Sequence, residues 1–446
     1  MKKIFTFLLL CSLFFNQSNA QQWSLVGAKA FSDGEAYDQH VLIVNETPFV
    51  AYQDRGNGDK ATVMKFNGTT WEPVGNKGFT PGKVSSLGFA NGNGTLYVAF
   101  SDAANGNKAS VMKFDGTTWV NVGPAGFTQA RCDVISIDTD NGVPFVALED
   151  VMQNSKITVM KFAGGGWTTV GAAGFNLGGM TNVIHLDVDN GTPFVAYRDY
   201  GASYKASVMK FDGNSWVLLG QQGFSGGTYD AYSGLAVYNG VPHVAAWDTD
   251  GKATVYKFNG SGWTALGNQN FSAGQASYLN IKFSSNGTPY VVYKDAGKSN
   301  KASLMKLDGT NWEQVGDACS SGNATYTSLA FSANGNPHVA FRDEASMRRT
   351  TVMKYGTVTG LNQITGNGKI QIYPNPNQGI FTVELPKMIA ESCFLEAINL
   401  TGQKVHTEYL TAGSKTLIDL SGKPNGIYLV KIKQGNEIFQ KKIIVR

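Results

Sequence analysis

Short apolar runs recur along most of this chain with a spacing of about 48 residues. The clearest landmark is Trp at positions 23, 71, 119, 167, 216, 263 and 312, most often opening a W-x-x-V-G phrase such as Trp71-Glu72-Pro73-Val74-Gly75. Ahead of it lies an alternating Val-Met-Lys-Phe phrase: Val63 to Phe66, Val111 to Phe114, Val159 to Phe162, Val208 to Phe211, Val255 to Phe258, Leu304 to Leu307 and Val352 to Tyr355. Further upstream come a Pro-aromatic-Val-Ala-aromatic run, as in Pro193 to Tyr197, and a short apolar run, as in Val134 to Ile137. Period-two runs rich in Val, Phe, Tyr and Trp read as strands. Four strands per unit at this spacing is the pattern of a β-propeller blade. No segment keeps an apolar period of 3.6, which excludes a helical solenoid.

Loop lengths order the strands. Phe66 and Trp71 are joined by a tight Asn67-Gly68 loop, and Phe114 and Trp119 by Asp115-Gly116. The longest connection follows Gly75, so it crosses to the next blade. Each blade therefore runs Leu87-type, Tyr97-type, Val111-type, then Trp119-type strand. The strand at Trp23–Val26 has no blade before it, and Val352–Tyr355 has no Trp strand after it. Their pairing closes the ring and covers two open edges. The fold class is all-β: a seven-bladed β-propeller of four-stranded blades closed by the N-terminal strand, followed by a small β-sandwich.

Composition adjusts this picture in three places. The 53 Gly lack a three-residue period and fall at turns, which excludes collagen, and 42% apolar residues exclude wholesale disorder. Lys2-Lys3, the apolar run Ile4–Phe15 and a polar stretch ending at Ala20 read as a secretory signal, residues 1–20, cleaved to leave Gln21. The formal charge of +4 belongs to the ends. Lys2 and Lys3 give +2 and residues 366–446 give +4, so the body between them is −2, without the footprint of a nucleic-acid binder. Beyond the N-terminus no apolar run is long enough for a transmembrane helix. Cys11, Cys132, Cys319 and Cys393 match no zinc or disulfide framework.

Candidate chemistry in the ring is sparse. An Asp ends the second strand of every blade (Asp54, Asp102, Asp150, Asp199, Asp248, Asp295 and Asp343), with a Lys or Arg shortly after, from Lys60 to Arg349. Sevenfold repetition favours a turn-capping Asp paired with a Lys across its hairpin over a ligand site. Asp138/Asp140 and Asp187/Asp189 offer oxygen ligands for Ca²⁺, without the further ligands of a full calcium loop. The Asp115-Gly116-Thr117-Thr118-Trp119 phrase resembles part of the Asp-box of sialidase-like propellers, which supports the hairpin's place in the blade. His40, His185, His243 and His338 form no metal or triad motif, and no catalytic signature occurs. No cofactor is expected. The less regular inter-blade loops are the better ligand face, with Tyr229, Tyr232, Tyr278 and Tyr326 as candidates. Function is expected where the ring departs from its own symmetry. A sialidase-like site would need an arginine cluster; Arg198 and Arg342 share a repeat position held elsewhere by Gln53, Ser101, Glu149, Trp247 and Lys294, and no site assembles from them.

Past Tyr355 a Gly-, Thr- and Asn-rich linker, residues 357–368, leads to a distinct unit at 369–446. It carries Ile372-Tyr373-Pro374-Asn375-Pro376, Gly379 before Phe381-Thr382-Val383, and Leu400-Thr401-Gly402-Gln403. Asn425-Gly426-Ile427-Tyr428 follows, and Lys441-Lys442 stands before the end. In this order the motifs resemble the type A C-terminal sorting domain of the type IX (Por) secretion system of Gram-negative Bacteroidetes. The resemblance implies passage across the outer membrane by the type IX machinery. Removal of the domain by a sortase-like protease then leaves the protein secreted or attached to the cell surface. For the propeller the leading expectation is a non-catalytic binding or adhesion module for glycan or protein. The rivals are a polysaccharide-active enzyme with its site in the central channel, and a structural surface protein.

Overall fold

The computed structural model describes residues 21–229, 233–357, 370–385, 393–411, 413–434 and 437–446. The expected signal segment, the linker beyond Thr357 and the loop tip at 230–232 lie outside the described residues. Two compact units form, residues 21–356 and the part following Gly356.

The first unit is a propeller of seven four-stranded antiparallel sheets. Blade 1 comprises Ala36–Val44, Thr47–Asp54, Lys60–Phe66 and Trp71–Pro73. The inner strands of the next six blades are Val84–Gly92, Ile135–Asp140, Ile184–Asp189, Gly234–Tyr238, Ala276–Phe283 and Ala324–Phe331. Blade 7 takes its outer strand, Gln21–Leu25, from the other end of the unit. The Val26 N–H donates to the Val352 carbonyl (3.0 Å), so the ring closes as the loop lengths require.

The repeat phrases are interface devices. Trp71 Nε1 donates to the Val26 carbonyl and Trp119 Nε1 to the Val74 carbonyl (both 2.7 Å), and the same bond recurs at all seven interfaces, ending with Trp23 to Val315 (3.1 Å). The Gly of W-x-x-V-G sits against the next blade's aromatics. At Gly171 (φ +69°) a Cβ would stand 2.7 Å from the Phe211 ring, so both conformation and space require glycine. A Phe stacks flat on the Trp in most blades, as Phe79 does on Trp119 (4.3 Å) and Phe175 on Trp216 (3.9 Å). At the last interface Cys319 takes the Phe position, with its N–H on the Ala302 carbonyl as the Phe79 N–H is on Ala61. These indoles are therefore committed to packing between blades.

The second unit pairs a three-stranded sheet (Gln371–Tyr373, Ile380–Glu384, Lys415–Asp419) with a four-stranded one (Lys404–Leu410, Cys393–Asn399, Gly426–Gln434, Glu437–Val445). Its core includes Ile372, Phe381, Leu395, Val430 and Ile443. The motif residues tie its first turn to its last strand. Asn375 Nδ2 donates to the Lys442 carbonyl (2.7 Å), the Ile444 N–H donates to Asn375 Oδ1 (2.9 Å), and Lys441 Nζ reaches the Ile372 carbonyl (3.0 Å). Pro374 and Pro376, both preceded by cis bonds, flank that asparagine. Gly379 (φ +90°) lies where a Cβ would meet Ser421 Cα at 2.5 Å. Gly402 (φ +84°) closes an Asn399-capped turn, Gly426 begins a strand, and the buried Tyr428 donates its hydroxyl to the Pro424 carbonyl (2.5 Å).

Candidate functional site

A propeller's inner strands are sheet edges, and their open N–H groups face the central channel, where they need partners. Here side chains of the preceding blade supply them. The Leu87 N–H donates to Asp38 Oδ2 (2.8 Å), Val188 to Asp138 Oδ2 (2.7 Å), Val237 to Asp187 Oδ2 (3.2 Å), Leu329 to Asn280 Oδ1 (3.0 Å) and Val41 to Ser328 Oγ (3.0 Å). The strand registers place these side chains in layers. One holds His40, Ser136, His185, Asn280 and Ser328, with Gly88 and Gly234 between them. The next holds Asp138, Asp187 and Lys282 among Leu42, Ala90, Ala236 and Ala330.

The polar layer is lopsided. Burial and the neighbouring Asp138 carboxylate push Asp187 up to about 7, with Lys282 opposing. Burial also raises Asp138. Burial and the nearby His40 lower His185 to about 4, and its Nε2 has no hydrogen-bond partner. Lys282 is exposed and makes no ion pair among the described residues.

A second departure from symmetry sits at the channel mouth where the inner strands begin and the Asp-capped turns lie. In blades 6, 7, 1 and 2, which are consecutive across the closure, the register slips between Ser277 and Asn280, Thr325 and Ser328, Tyr37 and His40, and Val84 and Leu87, and blades 6, 7 and 1 differ from blade 2 in the backbone of the slip. In blades 1, 6 and 7 the bulge puts one non-glycine residue in the left-handed region: Asp38 (φ 50°), Tyr278 (φ 57°) and Tyr326 (φ 52°). That conformation costs a bulky residue roughly 1–2 kcal/mol. Bulges re-aim side chains, and here they gather tyrosines. Tyr278 packs on Tyr326 (5.0 Å between ring centres), and Tyr326 meets Tyr37 edge-on (5.9 Å).

The Arg342 guanidinium lies against the rings of Tyr37 (4.6 Å) and Tyr326 (4.9 Å). Its Nε donates to Thr325 Oγ1 (2.9 Å) and Glu344 Oε1 (2.8 Å), while its Nη1 is buried without a partner. Burial pushes the Glu344 carboxyl up, but the Thr325 hydroxyl and the guanidiniums of Arg342 and Arg348 outweigh it and hold it below its ordinary value. Outside this stack Glu35 joins Tyr37, Arg55 and Arg348. One blade back, Lys294 holds the register position of Arg342 and makes no ion pair among the described residues.

The sequence candidates fall into three groups. Six of the seven Asp accept an N–H of their own turn, while Asp199 makes no such cap and accepts the Ser207 hydroxyl on Oδ2. Asp54 Oδ1 accepts the Gly56 N–H (3.0 Å), and its Oδ2 accepts Asn57 Nδ2 and Thr62 Oγ1 (both 2.8 Å). The expected Lys partner is a correction: Lys60 stands opposite in register but the carboxylate is occupied by the hydroxyl and N–H donors instead. Lys29 with Asp343 (3.1 Å) is an exception at the closure.

Tyr229 is a second correction. Its N–H donates to the Tyr204 carbonyl as those of Ala36, Val84, Cys132, Thr181, Ala276 and Ala324 do at equivalent turns, so it fills a buried slot and is itself 0% exposed. It is a core residue, and its edge contact with His185 (5.7 Å) is internal packing. Tyr278 and Tyr326 do come together, at the mouth, while Tyr232 lies outside the described residues. Asp138 and Asp187 bond to backbone N–H groups of the next blade, Asp189 Oδ2 accepts the Gly240 N–H (2.6 Å) and Asp140 Oδ2 accepts Asn141 Nδ2 (3.0 Å). Among the described residues no group of three or more His, Cys, Asp or Glu is placed to hold a metal ion. The sequence reading did not single out Tyr37, Lys282 or Lys294. The sequence signal for the mouth lay in Tyr278 and Tyr326, whereas the variable slot of Arg342 pointed to no site by itself.

Two further cavities, about 480 and 620 Å³, lie at the opposite, hairpin end. Val74, Lys65, Phe114 and Asp115 line one, and Val26, Lys354, Phe66 and Asn67 take the corresponding places in the other. They are one groove repeated at successive interfaces, and so follow the ring's symmetry.

Residues 371–446 match the secretion system C-terminal sorting domain. That match assigns the chain to export by type IX secretion, to the cell surface or the extracellular space. No helix among the described residues is long and apolar enough to cross a membrane. The chain matches no curated protein. Among solved structures it is similar to a fungal alcohol oxidase of the AA5 family in complex with copper, at 11% identity and a TM-score of 0.52, covering 95% of this chain and 99% of that one. It is also similar to the lectin of Aleuria aurantia, a six-bladed propeller (16%, 0.43, 66% and 100%), and to SapL1 lectin in complex with α-methyl fucoside (15%, 0.45, 67% and 100%). The likeness to the oxidase is one of fold alone.

Proposed function

We propose that the propeller is a non-catalytic binding or adhesion module for a glycan or a protein, and that its ligand face is the bulged mouth of blades 6, 7 and 1. The observation that carries this reading is the Tyr37–Arg342–Tyr326 stack with Tyr278, held on two tyrosines in left-handed backbone at the one mouth of an otherwise repeated ring. Such strain persists only where surrounding structure enforces it, and it concentrates at functional sites. In this reading the segment 1–20 takes the chain to the periplasm. The C-terminal domain takes it outward, and a sortase-like protease cuts in the linker. Glycan arrays and partner pull-downs with the full-length protein test it: a ligand retained by the wild type and released by Tyr326→Ala supports the mouth, and no ligand of either kind overturns the reading.

A polysaccharide-active enzyme is the second reading, favoured by the paired carboxylates of Asp138 and Asp187 within the channel. Glycan turnover that Asp187→Asn abolishes would establish it in place of the first.

A further inference from the structure

We infer that the mouth of blades 6, 7 and 1 recognises an anionic sugar, a pyranose ring bearing a carboxylate or sulfate; this rests on the mouth being the ligand face. Three observations combine. First, tyrosine rings are amphipathic platforms, with apolar faces suited to the C–H faces of a pyranose and hydroxyls at their edges. Tyr278 and Tyr326 are half-buried and neighbouring, presented together by bulges that the equivalent positions of blades 3 and 4, Val134 and Val183, do not share. Second, two cationic side chains at this mouth keep capacity for an acceptor although carboxylates stand beside them. Arg55, Arg342 and Arg348 stand with Glu35 and Glu344, and the Asp38 carboxylate in the blade 1 bulge is taken by the Leu87 N–H and His40. Glu344 takes both Arg342 and Arg348, and Glu35 takes Arg55 and Arg348. Among the described residues Lys294 makes no ion pair, and Arg342, only 8% exposed, keeps Nη1 without an acceptor. A buried donor without a partner carries a desolvation cost that an anionic acceptor removes. Third, the Tyr37 and Tyr326 rings fix the guanidinium plane, so little conformational freedom is lost when an oxyanion binds.

The two anions imply different sources, uronate polysaccharides and sulfated polysaccharides, and the experiment separates them. Full-length protein is titrated calorimetrically with a uronate oligosaccharide, a sulfated oligosaccharide and a neutral oligosaccharide of equal length, at low and at physiological salt. The expected result is binding of at least one anionic probe about tenfold or more tighter than the neutral one, weakened by salt. Lys294→Gln should lower the anionic affinity several-fold while leaving the neutral probe's unchanged. Tyr278→Ala should weaken both. Arg342→Gln is replaced by Arg342→Lys if it fails to fold, and the lysine variant should still lose affinity because it lacks the fixed fork. Equal affinity for neutral and anionic probes, with both lost in Tyr278→Ala, would overturn the anionic assignment and leave the mouth as ligand face. Anionic binding untouched by Lys294→Gln, Tyr278→Ala and Arg342→Lys together would overturn both.

Discussion

The Thr350 N–H donates to Ser32 Oγ at 3.1 Å across 318 residues of sequence, and the Ser32 hydroxyl in turn donates to the Gly34 carbonyl (2.8 Å). The same relay joins Ala61, Thr80 and Gly82 within a continuous stretch of chain. The closure is thus built from the same parts as the other interfaces, with its two halves brought from opposite ends of the unit. Removing residues 21–26 should remove blade 7's outer strand and the Trp23–Val315 bond together. The truncated ring should unfold at a lower temperature and expose the edge at Arg349–Thr357 to aggregation, as read by calorimetry and light scattering.

Thr62 and Ser303 occupy the same repeat position with opposite consequences. Thr62 Oγ1 accepts the Gly78 N–H (2.9 Å) and donates to Asp54 Oδ2 (2.8 Å), whereas the loop after Val315 is one residue shorter and leaves Ser303 Oγ buried without a partner. Thr62→Ala should cost about 1–3 kcal/mol by denaturant unfolding, because it strands both partners. Ser303→Ala should be neutral or slightly stabilising.

The channel gives a pH signature of worked sign. Asp187 is raised from 3.8 to about 7, so the folded state favours its protonated form; the associated stability is full below pH 4 and is lost as pH rises to 7. His185, His243 and His338 are each lowered from 6.5 to about 4, by burial first, so their contribution is present above pH 6.5 and lost as pH falls toward 4. The difference in stability between Asp187→Asn and wild type should therefore grow in the variant's favour between pH 4 and 7 and flatten above. A difference independent of pH would contradict the burial argument.

Gly379→Ala places a Cβ about 2.5 Å from Ser421 Cα in left-handed backbone, and should destabilise the C-terminal unit by roughly 2–4 kcal/mol. Asn375→Ala removes both bonds to the last strand. Either change should hold the protein in the periplasm, as deletion of residues 369–446 does in this account. Surface protease accessibility in cells measures the loss, and unchanged delivery would contradict it.

Blade number, strand order and closure were legible because Trp, Val-Met-Lys-Phe and the turn Asp repeat with the geometry they serve. The sorting unit was legible from ordered motifs, and Asn375 and Gly379 show why: they hold the first turn to the last strand. The mouth was only partly legible. Tyr278 and Tyr326 stood out as irregular, but their meeting depends on bulges, and a bulge is a property of pairing between strands. Tyr229 was misplaced because an aromatic residue in a loop reads as exposed until its N–H partner reveals a buried slot. Lys282 was silent because a channel layer assembles from residues about 48 apart, with no local signal at any one of them.

The most direct measurement is a hydrogen–deuterium exchange footprint of the full-length protein with and without a ligand selected on the arrays. The account predicts protection confined to residues 36–40, 276–280, 324–328 and 342–349, the bulged mouth. Protection spread evenly over the hairpin ends of the blades, or absent from the mouth, would contradict it.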